Sequence, residues 1–586
     1  MSMKEAAILR EVQALAQAGR YTDAKALLMK ETRRGSTSAL DNALAVVLLQ
    51  LGELDLAEYH ADRAASVKNA NPMCVSTHAN ILSKRGKYDK AMAAFTRSLA
   101  GAPRYVPALL GMANTQWALN QLADAESTLR RALEIGPDPF IQGTLAAILV
   151  VAGRSHEGLE VAKTASARFP DDATAATSYA NAANFAPQVS VSESLDAQRH
   201  YGRLLERAIP LPGRPPIRDA SPERQLRIGF VSQDLRRHSV SYFFEPLLRH
   251  LDRSSFVPVC YSASAQADDL TERLRSLSSE FRNISSDSDA RAVEIIRSDR
   301  IDVLIDLSGH TRAHRLEIFH RRPAPVQITY LGYPNITGLA SIDARIVDSI
   351  TDPPSPGESS QGPERLVRID PPFICYLPTD GAPEVSPRPA DRPITFGSFN
   401  AIAKLTAPTL RCWGRILAGV PGSRLLIKGR SLADQAARAD IEARLLEGGA
   451  DPARLDLRPD VPSAREHLAL YDAVDVALDS FPYNGTTTTC EALWQGVPVI
   501  SFTGDRHASR VSASLLTSIG CPELIASDVP GYERLAIALA HDQERLALYR
   551  ATLRERMRAS PLCDGSRLAA SFGAAIRSLW REACAG

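Results

Sequence analysis

A repeat of about 34 residues runs through the first third of the chain and constrains its fold more than any other feature. Turn-forming residues recur at intervals of 33, 34, 34 and 33 residues, at Gly19, Gly52, Gly86, Asn120 and Gly153. Five positions after each stands a small residue: Ala24, Ala57, Ala91, Ala125 and Gly158. Gly and Asn tolerate positive φ and so end a helix, and the small residue lets the next helix pack closely. The spacing therefore predicts stacked antiparallel helix pairs.

The period is typical of the tetratricopeptide repeat, which builds an α-solenoid. The register breaks at Ala186-Pro187, so we predict an array over 1–187, followed by a closing helix and a Pro-rich linker over 188–224. The concave face of such an array usually holds a peptide or protein segment, so we predict that it binds a partner or substrate protein. The alternative is a scaffold or an oligomerisation surface, including a homodimer.

After Arg224 the pattern changes to short β-rich runs that alternate with amphipathic helical segments. Near-continuous apolar strands alternating with helices imply parallel sheets covered on both faces. The Pro-rich stretch 352–393 separates two sets of strands, so we predict two Rossmann-like doubly wound α/β lobes, over 225–385 and 386–586. The first set is 227–234, 256–263, 301–309, 325–332 and 344–350; the second is 394–400, 424–429, 455–459, 474–480 and 497–502.

Composition excludes several classes of protein. The net charge is +1, which does not favour a nucleic-acid or membrane-surface partner. No run of about 18 apolar residues is present, and the N-terminus lacks the apolar core of a secretion signal. The eight cysteines are scattered without a C-x-x-C pair, as expected for reduced thiols in the cytoplasm. No cluster of metal-ligating residues stands out, so we expect no metal and no tightly bound cofactor.

Parallel α/β sheets bind ligands beyond the carboxyl ends of their strands, and these positions carry polar residues here. In the first lobe, His238 precedes an apolar helix and His310 follows the strand at 301–309. A neutral His in a cleft serves as a general base near neutral pH, whereas the simpler interpretation of His238 is a helix cap. Gly332 and Pro334, in LGYPNITG, form a rigid turn that a ligand can approach.

In the second lobe, Lys404 follows a strand and suits a phosphate or diphosphate, unless it is an ordinary surface lysine. Asn484 and Gly485 turn the chain into four threonines, Thr486–Thr489, that open a helix. Free N–H groups and hydroxyls at a helix N-terminus form an anion site, although Thr is also a common N-cap. Glu491 falls within reach of a ribose, and Arg510 stands at another strand–helix junction.

Taken in order, these motifs resemble the O-GlcNAc transferase family, which includes SPINDLY-type O-fucosyltransferases and bacterial relatives. The resemblance covers roughly 10–580. It rests on the repeat array and on the segments RIGFVSQDLRRHS, DLSGHT, RRPAPVQITYLGYP, SFNAIAKLTAPTL, LDSFPYNGTTTT, EALWQGVPV and ASRVSASLL.

The resemblance implies a GT-B fold and metal-independent, inverting transfer of a sugar from a nucleotide-sugar co-substrate to Ser or Thr of a protein. His238 matches the family's proposed catalytic His, and Lys404 matches its phosphate-contacting Lys. Thr487 and Thr488 match the threonines at its phosphate-binding helix, and His467 matches a His near the nucleotide base.

Four residues depart from the family pattern at positions assigned to the donor pocket: Asn335, Ala401, Thr486 and Glu491. The departures and the domain order resemble bacterial flagellin glycosyltransferases, so we predict flagellin as acceptor and a CMP-activated nonulosonic acid as donor. The alternatives are an enzyme that uses UDP-GlcNAc or GDP-fucose, and an inactive repeat-containing adaptor or secretion chaperone.

Overall fold

The structure, a computed structural model, describes residues 3–354, 364–389 and 391–585. Part of the Pro-rich stretch 352–393 therefore lies outside the described residues. The chain forms two compact units, 1–148 with 286–288, and 149–285 with 289–586. Our boundary at 187 follows the repeat register, which is a different criterion, and it stays a prediction.

The first unit is a stack of antiparallel helix pairs, as the repeat predicts. Helix α9, Pro139–Val151, begins in this unit and ends in the second. The preceding helices are α1 Met3–Gln17, α2 Tyr21–Arg34, α3 Ser38–Gln50, α4 Leu54–Ala65, α5 Pro72–Lys84, α6 Tyr88–Gly101, α7 Val106–Ala118 and α8 Leu122–Ile135.

The repeat positions have the local geometry that their residue types predict. The first helix of each pair ends two residues before a backbone at positive φ, with values of 71°, 74°, 72°, 62° and 86° at Gly19, Gly52, Gly86, Asn120 and Gly153. The four alanines five residues later, Ala24, Ala57, Ala91 and Ala125, are all fully buried. Close helix packing at these alanines explains why the small residue recurs.

The second unit starts with three more helices: α10 Ser155–Arg168, α11 Ala173–Ala182 and α12 Val191–Ala208. Helix α12 is the closing helix that the sequence predicts. It lies against the first α/β lobe so tightly that a Cβ on Gly202 would sit 2.0 Å from the Gly338 carbonyl oxygen. Asn184, just after α11, donates its side-chain amide to the Tyr333 hydroxyl at 2.7 Å.

The first lobe is a seven-stranded, wholly parallel sheet in the order β3-β2-β1-β4-β5-β6-β7. Its strands are β1 Leu226–Ser232, β2 Phe256–Ser262, β3 Glu280–Asn283, β4 Val303–Asp306, β5 Val326–Thr329, β6 Ala344–Asp348 and β7 Arg365–Ile369. Its helices are α13 Ser239–His250, α14 Asp269–Leu277, α15 Asp289–Ser298 and α16 Leu316–His320.

The second lobe is a six-stranded parallel sheet in the order β10-β9-β8-β11-β12-β13. Its strands are β8 Thr395–Ser398, β9 Arg424–Lys428, β10 Leu455–Arg458, β11 Val476–Leu478, β12 Val499–Phe502 and β13 Ile525–Ala526. Its helices are α17 Ala407–Gly419, α18 Gln435–Glu447, α19 Ala464–Ala469, α20 Thr487–Trp494, α21 Val511–Ser518, α22 Val529–His541 and α23 Gln543–Arg558; α24 Gly565–Ala585 follows and packs beside α13 of the first lobe.

The two parallel α/β sheets confirm the predicted fold class, and all ten predicted strands are present. Three strands are missing from the prediction: β3, β7 and β13. Each lies at the edge of its sheet. Edge strands are short and half-exposed, so their sequences, such as EFRN in β3, lack the continuous apolar run that marks a central strand.

All eight cysteines are free, and six of them are buried. Within the described parts of the chain, no helix is both long enough and apolar enough to cross a bilayer.

Candidate functional site

Polar side chains gather beyond the carboxyl ends of β8 and β11, which are neighbours in the second sheet. After β8 the chain passes Asn400 and enters a short 3-10 turn, Ile402–Lys404. After β11 it passes Asp479, turns at Asn484-Gly485 and enters α20. Because the two strands are parallel and adjacent, both loops meet at one edge of the sheet.

Lys404 lies directly against the loop that leads into α20. Its Nζ donates to the Asn484 carbonyl oxygen at 2.7 Å and lies 4.0 Å from the centre of the Tyr483 ring. Burial lowers the pKa of Lys404 to about 8, and the nearby Asp479 carboxylate opposes this shift. The structure thus brings together Lys404 and the Asn484 loop, as the sequence predicts.

The loop before α20 is organised by Asp479, which sequence reasoning missed. This buried carboxylate accepts the Gly485 N–H at 2.6 Å and the Ser501 hydroxyl at 2.7 Å. Burial raises its pKa, while these hydrogen bonds act in the opposite direction. A carboxylate at the end of the apolar run VDVALD was the signal for it. The Asn484 side chain is also buried and donates to the Ser480 carbonyl at 2.9 Å, so it shapes the loop.

The four threonines divide into two pairs. Thr488 donates to Asn400 Oδ1 at 2.6 Å, and the Thr489 hydroxyl lies 3.0 Å from that of Ser512. Thr486 occupies the N-cap position without a side-chain capping bond, and among the described residues neither its hydroxyl nor that of Thr487 has a partner. The N–H groups of the first helical turn have no carbonyl ahead of them. With Lys404 alongside, this end of α20 can bind an anion.

Glu491 is the fifth residue of α20, which begins at Thr487, so it stands just past the first helical turn. Its Oε2 lies 2.9 Å from His467 Nε2. On the other side of the imidazole, His467 Nδ1 lies 2.8 Å from Lys428 Nζ. The sequence prediction singled out Glu491 and His467 separately; it did not predict their contact and it missed Lys428.

His238 is the N-cap residue of α13, as the simpler interpretation, a helix cap, predicts. Its Nδ1 accepts the Val240 N–H at 3.3 Å, and the Asp234 carboxylate is 3.7 Å away. Capping uses only Nδ1. The side chain is 42% exposed, and its Nε2 remains available to a ligand. Burial lowers the pKa of His238, and the charge of Asp234 opposes this shift.

The predicted donor contact His310 is fully buried, in contrast to the cleft position we expected. Its Nε2 donates to the Thr337 carbonyl at 2.7 Å, and its ring packs on Tyr201 and Tyr333. Burial lowers its pKa to about 3, so it is neutral at physiological pH. In this conformation it presents no atom to a ligand.

The turn at LGYPNITG is rigid for a different reason from the one we expected. A Cβ at Gly332 would lie 1.8 Å from the Leu307 carbonyl oxygen, so the glycine accommodates the protein's own backbone. Asn335 donates to Asn184 Oδ1 at 3.0 Å and to the Ser194 hydroxyl at 2.9 Å. This departure from the family pattern therefore binds the turn to α12 and to the segment that follows α11, and it does not by itself indicate a different donor.

Pro334 and Arg510 line a separate cavity of about 250 Å³ together with Asn335, Arg345 and Glu364. The cavity borders the α20 loop, because Ala508, also in its lining, accepts the Asn484 N–H at 2.8 Å. Burial raises the pKa of Glu364 to about 7. The residues assigned to donor binding thus fall into two neighbouring places, with Lys404 and the threonines in one and Pro334 and Arg510 in the other.

The two lobes face each other at the carboxyl ends of their strands. Ser514 at α21 donates to Asp348 at the end of β6 at 2.6 Å. Burial raises the pKa of Tyr242, one turn along α13 from His238, and the charge of Glu491 adds to the effect. The ends of β6 and α21 are therefore in contact, and Tyr242 of α13 lies close enough to Glu491 of α20 to be affected by its charge. Within the described residues, no group of three or more His, Cys, Asp or Glu lies close enough to hold a metal ion.

Comparison with known proteins gives consistent matches. A family model described as "Glycosyl transferase family 41" matches residues 198–373 and 387–572. Two tetratricopeptide repeat models match residues 9–72 and 82–148. The solved structure of a Thermobaculum terrenum O-GlcNAc transferase mutant superposes with a TM-score of 0.82 at 33% identity, covering 88% of this chain and 98% of that one.

Curated relatives come from plants and animals. The "Probable UDP-N-acetylglucosamine--peptide N-acetylglucosaminyltransferase SPINDLY" of Petunia hybrida is 43% identical over 62% of this chain. The Arabidopsis thaliana protein with the same description but named SEC is 29% identical over 63%, and the Caenorhabditis elegans transferase is 25% identical over 61%. These matches span 40%, 39% and 41% of the relatives' own lengths, so the chain covers about two fifths of each.

Proposed function

The chain belongs to glycosyl transferase family 41, and from this we propose that it transfers a sugar from a nucleotide-sugar donor to a Ser or Thr hydroxyl of a protein. The observation that carries the proposal is the pairing of Lys404 with the open N-terminus of α20. We place His238 on the facing wall of the cleft between the lobes. A transferase of this kind must stabilise the negative charge that develops on the leaving phosphate, and these groups are suited to that task.

The leaving phosphate would lie at the first turn of α20. There the N–H groups, the Thr486 and Thr487 hydroxyls and the Lys404 ammonium supply hydrogen bonds and positive charge where the bond to the sugar breaks. Direct displacement at the anomeric carbon inverts its configuration, and it needs no metal if these groups offset the charge. Both features are part of the proposal.

His238 would orient the reacting groups. Its Nδ1 accepts the Val240 N–H, so in the neutral ring Nε2 carries the proton and donates a hydrogen bond. This favours a positioning role over that of a general base, a choice that the sequence left open. Burial lowers the pKa of the ring below its ordinary value, which favours the neutral form.

For the donor, we propose UDP-GlcNAc, the sugar nucleotide that the curated relatives' descriptions name. None of these relatives supports the CMP-nonulosonic acid or the flagellin acceptor that we predicted. The contacts of Asn335 remove one of the four departures on which that prediction rested. GDP-fucose remains the second donor to test, since Thr486, Glu491 and Ala401 still differ from the O-GlcNAc pattern.

For the acceptor, we propose a protein segment held by the repeat unit. The support is the helix-pair array of residues 1–148 and its match to tetratricopeptide repeats, which commonly bind extended peptides. Flagellin is one protein to include among the acceptors tested.

The test is a donor panel with the purified full chain: UDP-GlcNAc, GDP-fucose and a CMP-sugar, each scored by thermal protection and by sugar transfer to lysate proteins. We expect protection and transfer with UDP-GlcNAc, and a loss of at least about 100-fold in kcat for His238→Ala with donor KM little changed. His541→Ala, at an exposed helix end, is the matched control.

The outcomes distinguish between the possible donors, an inactive adaptor and the possible roles of His238. Transfer with GDP-fucose alone would change the donor and keep the enzyme, whereas protection by no nucleotide sugar would favour the inactive adaptor. Near-normal turnover of His238→Ala would remove that residue from the mechanism. An acid limb of the kcat profile that disappears in His238→Ala would instead make it a general base.

A further inference from the structure

Three ionisable side chains form a line from β9 to α20 in the second lobe. Lys428 Nζ lies 2.8 Å from His467 Nδ1, and His467 Nε2 lies 2.9 Å from Glu491 Oε2. The side chains of Lys428, His467 and Glu491 are only 9%, 16% and 14% exposed. They come from three different elements, β9, α19 and α20, so their alignment is a product of the tertiary fold.

The chemistry of the first contact fixes the proton on the imidazole. An ammonium group has three donors and no acceptor, so His467 Nδ1 must be the acceptor. The Asp460 carboxylate lies 3.0 Å from Lys428 Nζ, on the solvent-exposed side of this contact. A neutral imidazole carries one proton, which is therefore on Nε2 and is donated to Glu491.

The surroundings hold the ring in this orientation. The centres of the Phe399 and Tyr471 rings lie 5.6 Å and 5.8 Å from that of His467. The Tyr471 hydroxyl donates to the Thr488 carbonyl at 3.1 Å, which connects this aromatic group to the first turn of α20. Turning the ring over would give up both charge-assisted hydrogen bonds at once.

We propose that Lys428 is a positioning residue for donor binding, which acts through His467 on Glu491. By fixing the Nε2–H tautomer, Lys428 makes His467 hold one oxygen of the Glu491 carboxylate. The other oxygen, which has no partner among the described residues, is then aimed into the cleft beside the phosphate end of α20, where it accepts a hydroxyl of the nucleotide's ribose. This inference rests on the proposed function, because it takes the ligand of α20 to be a nucleotide.

The first measurement does not depend on any activity. In protein labelled with ¹⁵N-histidine, the His467 signal, assigned by its loss in His467→Gln, should show a protonated Nε2 and an unprotonated Nδ1. Lys428→Met keeps the length of the side chain without its charge, and it should abolish this fixed pattern. A wild-type His467 protonated on Nδ1 would overturn the proposal whether or not the protein is a transferase.

The second measurement is kinetic. Lys428→Met should raise the donor KM about tenfold, the order expected for losing a charge-assisted hydrogen bond, with kcat nearly unchanged. Lys428→Arg, which retains the charge and the donors, should restore most of the affinity. Asp460→Asn removes the half-exposed partner of the same lysine and is the matched control, with an expected change under twofold.

The outcomes separate the two proposals. An unchanged donor KM in Lys428→Met, in a protein whose ¹⁵N pattern has changed, would overturn the positioning role and leave the transferase proposal intact. If no nucleotide sugar is transferred at all, titration of UDP binding to the wild type and Lys428→Met supplies the affinity ratio. Equal affinities would then overturn the inference independently.

Discussion

Replacing Lys404 by Met should stabilise the free protein while removing its activity. Folding lowers the pKa of this amine from 10.5 to about 8, mainly by burial, so the folded state at pH 7 holds a charge that it disfavours. At 1.36 kcal/mol for each factor of ten, the cost is about 3 kcal/mol. Loss of the hydrogen bond to the Asn484 carbonyl destabilises the variant by about 1 kcal/mol. We therefore expect the variant to be more stable than the wild type by about 2 kcal/mol.

The pH dependence identifies the cause. Between pH 8 and 10.5 the unfolded chain binds a proton on this amine that the folded protein lacks, so wild-type stability rises with pH in this window. Below pH 8 both states are protonated and the full cost remains. The advantage of Lys404→Met should therefore be complete at pH 7 and close to zero at pH 9.5.

The assay is thermal unfolding at pH 7.0 and 9.5, with and without UDP. The variant should melt about 2 °C higher at pH 7.0, and UDP should protect the wild type but not the variant. Lys68→Met, at an exposed lysine, is the control for the substitution itself. A variant less stable than the wild type at pH 7.0, or an advantage that persists at pH 9.5, would refute the argument from burial.

Two further predictions concern glycines with different constraints. Gly52→Ala places a Cβ in open space at φ 74°, so only backbone strain opposes the substitution. We expect it to destabilise the protein by about 1 kcal/mol, measured as faster amide hydrogen exchange in α3 and α4. Unchanged exchange rates would contradict this prediction. Gly332→Ala places a Cβ 1.8 Å from the Leu307 carbonyl oxygen, so we expect loss of several °C in Tm together with loss of donor protection. An unaltered Tm would show that the backbone of this turn shifts to accommodate the Cβ, in contrast to what its close packing indicates.

Much of the candidate site could be predicted because strand ends are visible in sequence. Lys404 and Thr486–Thr489 each follow an apolar strand, and in a parallel sheet neighbouring strands deliver such residues to one edge. His238 was identified in the same way. His310 satisfies the same pattern, yet it is buried against Tyr201 and Tyr333, because strand position does not determine which way a side chain turns.

Residues that act through distant partners were not predictable. Asp479 ends the apolar run VDVALD, but the sequence does not show that its carboxylate accepts hydrogen bonds from Gly485 and Ser501, 6 and 22 positions further along. Asn335 was assigned to the donor pocket, but its amide binds Asn184 and Ser194, more than 140 positions away. In both cases the residue type was visible and its partner was not.

What the sequence determined by itself is therefore the local structure: the helix ends at Gly52 and Gly86, the central strands and the order of the lobes. These follow from backbone preference and from apolar periodicity, which act over a few residues. The tertiary structure alone decided the edge strands β3, β7 and β13, the buried position of His310, and the alignment of Lys428, His467 and Glu491. Those depend on which surfaces meet after the chain has folded, since hydrogen bonds and burial are properties of pairs of residues brought together from distant positions.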